Sequence, residues 1–82
     1  MKPEEILDLL QEIYHDKVGG RTDEISPEMR LVEDLGLDSL RLITLVVEVE
    51  DRFQICIEEE EEDEIVRLSD LVEVIQRKAG DR

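Results

Sequence analysis

Apolar residues recur along this chain in three helical stretches, separated by segments without a period. In the first, from Pro3 to about Lys17, Ile6, Leu9, Leu10 and Ile13 follow the 0, 3, 4, 7 spacing of one buried helix face. Pro3 suits the first helical position, and Glu4 and Glu5 lie where the helix dipole favours acids. Gly19-Gly20 marks the stop. From about Arg21 to Asp38 the pattern predicts a long ordered loop, punctuated by Ser26-Pro27 and pinned to a core by Ile25, Leu31, Val32 and Leu35.

The second helix is predicted over Ser39 to Phe53. On a helical wheel, Arg41, Thr44, Glu48, Asp51 and Arg52 occupy about 100° of arc. Leu40, Leu42, Ile43, Leu45, Val46, Val47, Val49 and Phe53 fill the rest, and Glu50 is the only charge among them. An apolar arc of roughly 200° or more is wider than a surface helix needs, so this helix is either central to the bundle or has a second apolar side facing something besides the core. Gln54-Ile55-Cys56-Ile57 predicts an extended connector, with Cys56 as a buried small apolar residue. The last helix is predicted from Ser69 as N-cap, with Leu68, Leu71, Val72 and Ile75 on one face, Arg77 and Lys78 in the last turn and Gly80 as the stop.

Composition narrows the function. The 82 residues form one small domain, spanning 1–82. Leu, Ile, Val and Phe make up 28 of them, enough for a core despite a net charge of −14. That charge repels phosphate backbones and anionic lipid, which argues against nucleic-acid and membrane-surface partners and for basic ones. No apolar run exceeds three residues, so the chain predicts no membrane insertion, and Met1 to Glu5 has no signal-peptide character. One cysteine fits a reducing, cytoplasmic setting. Residues 58–64 are seven consecutive acids, a solvated face without the ligand spacing of a calcium loop.

The segment that carries chemistry is Asp34-Leu35-Gly36-Leu37-Asp38-Ser39-Leu40, which sets a serine at a loop-to-helix junction. The one histidine, His15, lies beyond the long loop and predicts a surface residue. A nucleophilic serine needs a base and an orienter, and neither is visible, nor is a metal-ligand cluster. Ser39 is therefore a candidate for modification by another enzyme, since a helix N-terminus favours an attached phosphate. Position alone leaves an ordinary helix-start serine open.

With these residues the chain resembles the acyl carrier proteins, whose phosphopantetheine-attachment signature is similar to Asp34–Leu40. Phe53, fourteen residues after the serine, and Ile57 and Ile65, at positions apolar under the family's third helix, extend the likeness over nearly the whole chain. The resemblance implies an all-α four-helix bundle, with three longer helices and a short third one. It implies a non-catalytic monomer carrying covalent 4′-phosphopantetheine on Ser39, added from coenzyme A by a magnesium-dependent phosphopantetheinyl transferase. The cargo would be a thioester handed between acyl-loading and acyl-transfer enzymes with basic docking patches, in fatty-acid, lipid or polyketide synthesis. Asp38, Leu40, Arg41 and Thr44 would meet partners, and Leu40, Ile43, Val47, Ile57 and Ile65 would line the acyl cleft. Leu42, Val46, Val49 and Phe53 would form the permanent core.

Two departures from the family pattern stand out. Arg41 and Thr44 occupy positions that are often acidic, and segment 39–53 carries a net charge of only −1, which predicts dedicated partners. Glu62 stands where the family tucks in a small apolar residue. A buried, unpaired carboxylate costs several kcal/mol, so Glu62 should turn outward. Residues 58–64 are accordingly expected to be poorly docked and mobile. The rival readings are an aminoacyl or peptidyl carrier with the same arm, and an acidic helical interaction module without it.

Overall fold

The computed structural model describes residues 2–19 and 24–79. The expectations placed on Gly20, on the loop's start at Arg21 and on Gly80 lie outside them. Helix α1 runs Pro3–Ile13, with Pro3 in its first turn beside Glu4 and Glu5. Its periodic residues Ile6, Leu10 and Ile13 are buried, and Leu9 is half-buried against the core. The helix continues as a π-helical turn, Tyr14–Val18, that buries Tyr14 and Val18 and leaves His15 exposed. It stops at Gly19, whose φ of +72° is left-handed backbone that a side chain would strain.

The next described stretch, 24–38, is a loop held from both sides. Ile25, Leu31, Leu35 and Leu37 are buried under it. Val32, expected among them, is 61% exposed: the Leu31 N–H donates to Val66 O (2.9 Å), which sets Leu31 inward and turns its neighbour out. Leu68 N–H to Met29 O (3.0 Å) and Ser69 N–H to Pro27 O (2.9 Å) continue this seam. An isolated antiparallel bridge between Arg30 and Arg67 belongs to it, and the described residues form no strand.

Helix α2 is Ser39–Phe53, the predicted bounds, and buries Leu45, Val49 and Phe53. Its lone inward charge, Glu50, has a job: the carboxylate accepts from Ile57 N–H (2.8 Å) and folds the connector back onto α2. Within that connector Ile55 is half-buried and Ile57 buried, so the alternation of extended backbone leaves Cys56 exposed, contrary to expectation.

Helix α3, Glu59–Glu64, is made wholly of acids and buries no residue. Helix α4, Leu68–Ala79, buries Leu68, Leu71, Val72, Val74 and Ile75. It begins one residue before the expected start, and Ser69 is not its cap. The Asp70 carboxylate accepts from both Val66 N–H (3.0 Å) and Arg67 N–H (2.9 Å), which satisfies two helix-start donors at once. These two hydrogen bonds hold the Asp70 carboxyl below the usual carboxylate range. Helix α1 packs against α2 and α4, and α3 makes no comparably extensive contact with any helix. No described helix is long and apolar enough to cross a membrane.

Candidate functional site

The loop delivers Ser39 to the start of α2 through a chain of local hydrogen bonds. Asp34 Oδ2 accepts from Arg30 N–H (2.7 Å), closing the turn before the motif. The buried Tyr14 hydroxyl donates to Leu35 O (3.2 Å), tying the motif to the end of α1. Gly36 then takes φ +68°, with open space where a side chain would go, so the backbone angle and not crowding calls for glycine here. Leu37 is buried and its N–H donates to Leu31 O (3.2 Å). Asp38 is the N-cap of α2: its Oδ1 accepts from Arg41 N–H (2.9 Å) while its carbonyl accepts from Leu42 N–H (2.9 Å).

Ser39 is thereby the first residue of α2, exposed, with no side-chain partner among the described residues. The remaining first N–H groups of the helix have no helical acceptors, and the first turn of α2 carries no acid. Arg41 is half-buried at the third helical position, with no carboxylate partner among the described residues. The Thr44 hydroxyl turns back to Leu40 O (3.0 Å). No described group of three or more His, Cys, Asp or Glu residues could hold a metal. The exposed Ser39 Oγ thus stands beside N–H donors without helical acceptors and a guanidinium without a carboxylate partner among the described residues. The hydroxyl is accessible from solvent at a helix start, where the backbone dipole favours an anion.

Below this helix start lies a small apolar pocket of about 30 Å³. Leu42, Leu45 and Val46 of α2, Leu31 of the loop, Glu62 and Ile65 at α3, and Leu71 of α4 line it. Of the five residues expected to line a cleft, only Ile65 does so in this structure. Leu40, Ile43 and Val47 are 73%, 57% and 53% exposed, an apolar stripe on the outside of α2, and Ile57 is buried in the core. Leu42 and Val46, expected as permanent core, are half-buried pocket wall. The wide apolar arc is thus divided three ways, into core, pocket and outer stripe. Leu45, at the edge of the apolar arc beside Arg41 and Arg52 and away from the Leu40 stripe, is buried, and this decides that rotation.

Residues 58–64, expected to be poorly docked, are held by charge. The Glu61 carboxylate meets Lys78 Nζ (2.8 Å) and Arg77 Nη2 (3.1 Å) of α4, and accepts from Glu58 N–H (3.0 Å) at the start of its own helix. The Lys78 hydrogen bond, then the Glu58 N–H, and lastly Arg77 bring the Glu61 carboxyl down to about 2, and Lys78 is raised in turn, chiefly by Glu61. Glu62 is exposed, as its charge requires, although it stands at the pocket rim. Sequence patterning missed Glu61 and Tyr14, and it marked Glu50 as a charge in the apolar arc without showing its role. The Glu58-to-Glu61 spacing of three, ahead of basic Arg77 and Lys78, was the signal for the first.

A family model described as a phosphopantetheine attachment site matches residues 4–75. An acyl carrier protein from an Exiguobacterium species is 37% identical over 78 residues, covering 95% of this chain and 99% of that protein. One from Rubrobacter xylanophilus is 39% identical over 75 residues, covering 92% of this chain and 93% of its own. The crystal structure of a Thermotoga maritima acyl carrier protein superposes with a TM-score of 0.88 at 31% identity, covering 99% of this chain and 94% of that one.

Proposed function

The chain belongs to the acyl carrier protein family, and we propose that it holds acyl intermediates as thioesters on an arm attached to Ser39. The family carries covalent 4′-phosphopantetheine and its members are carriers, not enzymes. The observation that carries the assignment to this residue is the placement of Ser39: exposed, unpartnered and first in a helix whose opening turn lacks acids. In the modification the Ser39 hydroxyl attacks coenzyme A at its pyrophosphate. A serine–phosphate ester forms, and adenosine 3′,5′-bisphosphate leaves as the P–O–P bond breaks. When attached, the group supplies a thiol that holds the cargo.

The family's partners are a phosphopantetheinyl transferase and biosynthetic enzymes. For this chain we assign the partner-facing surface to the start and outer face of α2: Asp38, Leu40, Arg41 and Thr44, continued by the exposed Ile43 and Val47. With Arg41 unpaired, this face suits dedicated partners, in the cytoplasm, better than enzymes built to grip an acidic helix. The pocket under α2 shelters the acyl chain.

The test loads the phosphopantetheinylated protein with either a fatty acid, through an acyl-activating ligase, or an amino acid, through an adenylating enzyme. Hydroxylamine-sensitive acylation by the first supports the proposal. Acylation by the second alone points to an aminoacyl carrier. Arg41→Asp is expected to weaken transfer to the true partner. Productive coupling to general elongation enzymes, unaffected by that change, contradicts the dedicated-partner reading.

A further inference from the structure

The pocket cannot hold a long chain as it stands. At about 30 Å³ it is far below the roughly 150 Å³ of a cavity that admits a single benzene ring. A longer acyl chain needs one wall to move. Leu45 of α2, Leu71 of α4 and Leu31 of the loop are each at most 3% exposed, and displacing them breaks the core. Leu42 and Val46 stand on α2 with Leu45, which leaves Glu62 of α3 and Ile65, just after it and half-buried, as the wall that can move; α3 itself buries no residue. Moving this wall costs only the partial burial of Ile65. What holds it to the bundle is Glu61, bonded to Lys78 and Arg77 across the gap to α4. The Glu61 side chain is only 18% exposed and that of Lys78 24%, so this contact is better shielded than the other ion pairs of the described chain.

We propose that Glu61 is a positioning residue for cargo length: by tying α3 to α4 through Lys78 and Arg77 it keeps the acyl pocket small, and release of this tie admits long chains. The proposal rests on the reading of Ser39 as the attachment point. Burial of a long chain must work against the tie, so the sheltered fraction of a long cargo is reduced by the fraction of molecules in which α3 is displaced. A short chain reaches no deeper than the existing pocket and is indifferent to it. Because the tie is ionic, salt weakens it: screening lengths fall from about 30 Å at 0.01 M to about 3 Å at 1 M.

The experiment loads the protein from acetyl-, hexanoyl- and dodecanoyl-coenzyme A with a transferase, and confirms loading by intact mass. Cleavage of each thioester by hydroxylamine is then timed in the unaltered protein, in E61Q and K78M, and in E60Q, which removes a neighbouring charge that makes no ion pair among the described residues. Backbone amide exchange over 59–65 is followed on the unmodified proteins at low and high salt. The expected result is that E61Q and K78M slow cleavage of the dodecanoyl thioester relative to acetyl by about threefold or more. Added salt should do the same to the unaltered protein, and E60Q should do nothing. Amide exchange in 59–65 should quicken by a similar factor in E61Q alone of the two glutamate variants. An unchanged dodecanoyl-to-acetyl ratio, or a slowing of all three chains alike, overturns the proposal. So does exchange in 59–65 that ignores E61Q and salt. Failure of the unaltered protein to load from any of the three, while a control carrier loads, overturns the carrier reading and the proposal with it, and intact mass separates that failure from the others.

Discussion

Replacing Asp38 separates two roles that fall on one carboxylate. Its Oδ1 caps α2 through Arg41 N–H at 2.9 Å, and it stands next to Ser39, where a modifying enzyme must approach. Loss of an exposed N-cap of this kind costs typically about 1 kcal/mol. In a domain of this size that lowers Tm by about 4–8 °C. Asp38→Ala should therefore fall in that range, measured by circular dichroism, without unfolding the protein. Asp38→Asn keeps a capping oxygen and should melt within about 1 °C of the unaltered protein, since asparagine caps as well as aspartate. If the carboxylate also serves the transferase, Asp38→Asn will be loaded about tenfold or more slowly despite its intact stability, the penalty for removing one partner of a charge-assisted contact. A melting temperature unmoved in Asp38→Ala would refute the cap. Equal loading of Asp38→Asn and unaltered protein would confine Asp38 to its structural role.

Tyr14→Phe removes a buried donor and leaves Leu35 O without a partner; it should cost about 1 kcal/mol in denaturant unfolding and quicken amide exchange through 35–39. Leu45→Ala, in the core, should cost about 2–5 kcal/mol, whereas Ile43→Ala, on the exposed stripe, should stay within about 0.5 kcal/mol; equal effects would mean that α2 is rotated differently. Acid should release α3 selectively. The Glu61 carboxyl is depressed from 4.5 to about 2, so its contribution is fully present above its ordinary value and is lost as pH falls through the interval between the two. Lys78, raised from 10.5, contributes fully below that value and loses its contribution only above it. Relaxation of the 59–65 backbone should thus be flat through neutrality and loosen below about pH 3. Global melting will not show this cleanly, because protonating a chain of net charge −14 also relieves self-repulsion.

The bounds of α2 were legible because both ends are written locally: Asp38 and Ser39 start it, and the apolar arc runs to Phe53 before Gln54 takes left-handed backbone at φ 54°. The motif's geometry was legible for the same reason, since Gly36 and Asp38 act within a few residues. The pocket was not. Whether Leu42 and Val46 or Leu40, Ile43 and Val47 face inward depends on how α2 is rotated against α1 and the π-helical turn, and a wheel fixes relative angles only. Residues 58–64 misled for a different reason. Like charges at short spacing argue against a helix, and the compensating cations, Arg77 and Lys78, arrive from α4, sixteen and seventeen residues after Glu61. Glu50 was visible as an anomaly in the apolar arc, but its acceptor role toward Ile57 N–H requires the chain to double back.

The most direct test of the account is intact mass after incubation with coenzyme A, Mg²⁺ and a broad-specificity phosphopantetheinyl transferase, with Ser39→Ala alongside. Ser39 is exposed and its side chain makes no hydrogen bond among the described residues, so the alanine variant should stay within about 0.5 kcal/mol of the unaltered protein's stability. The account predicts a gain of one phosphopantetheine in the unaltered protein and none in Ser39→Ala. A gain that persists in Ser39→Ala, or no gain while a control carrier is loaded and a transferase encoded beside this chain's gene also fails, would contradict it.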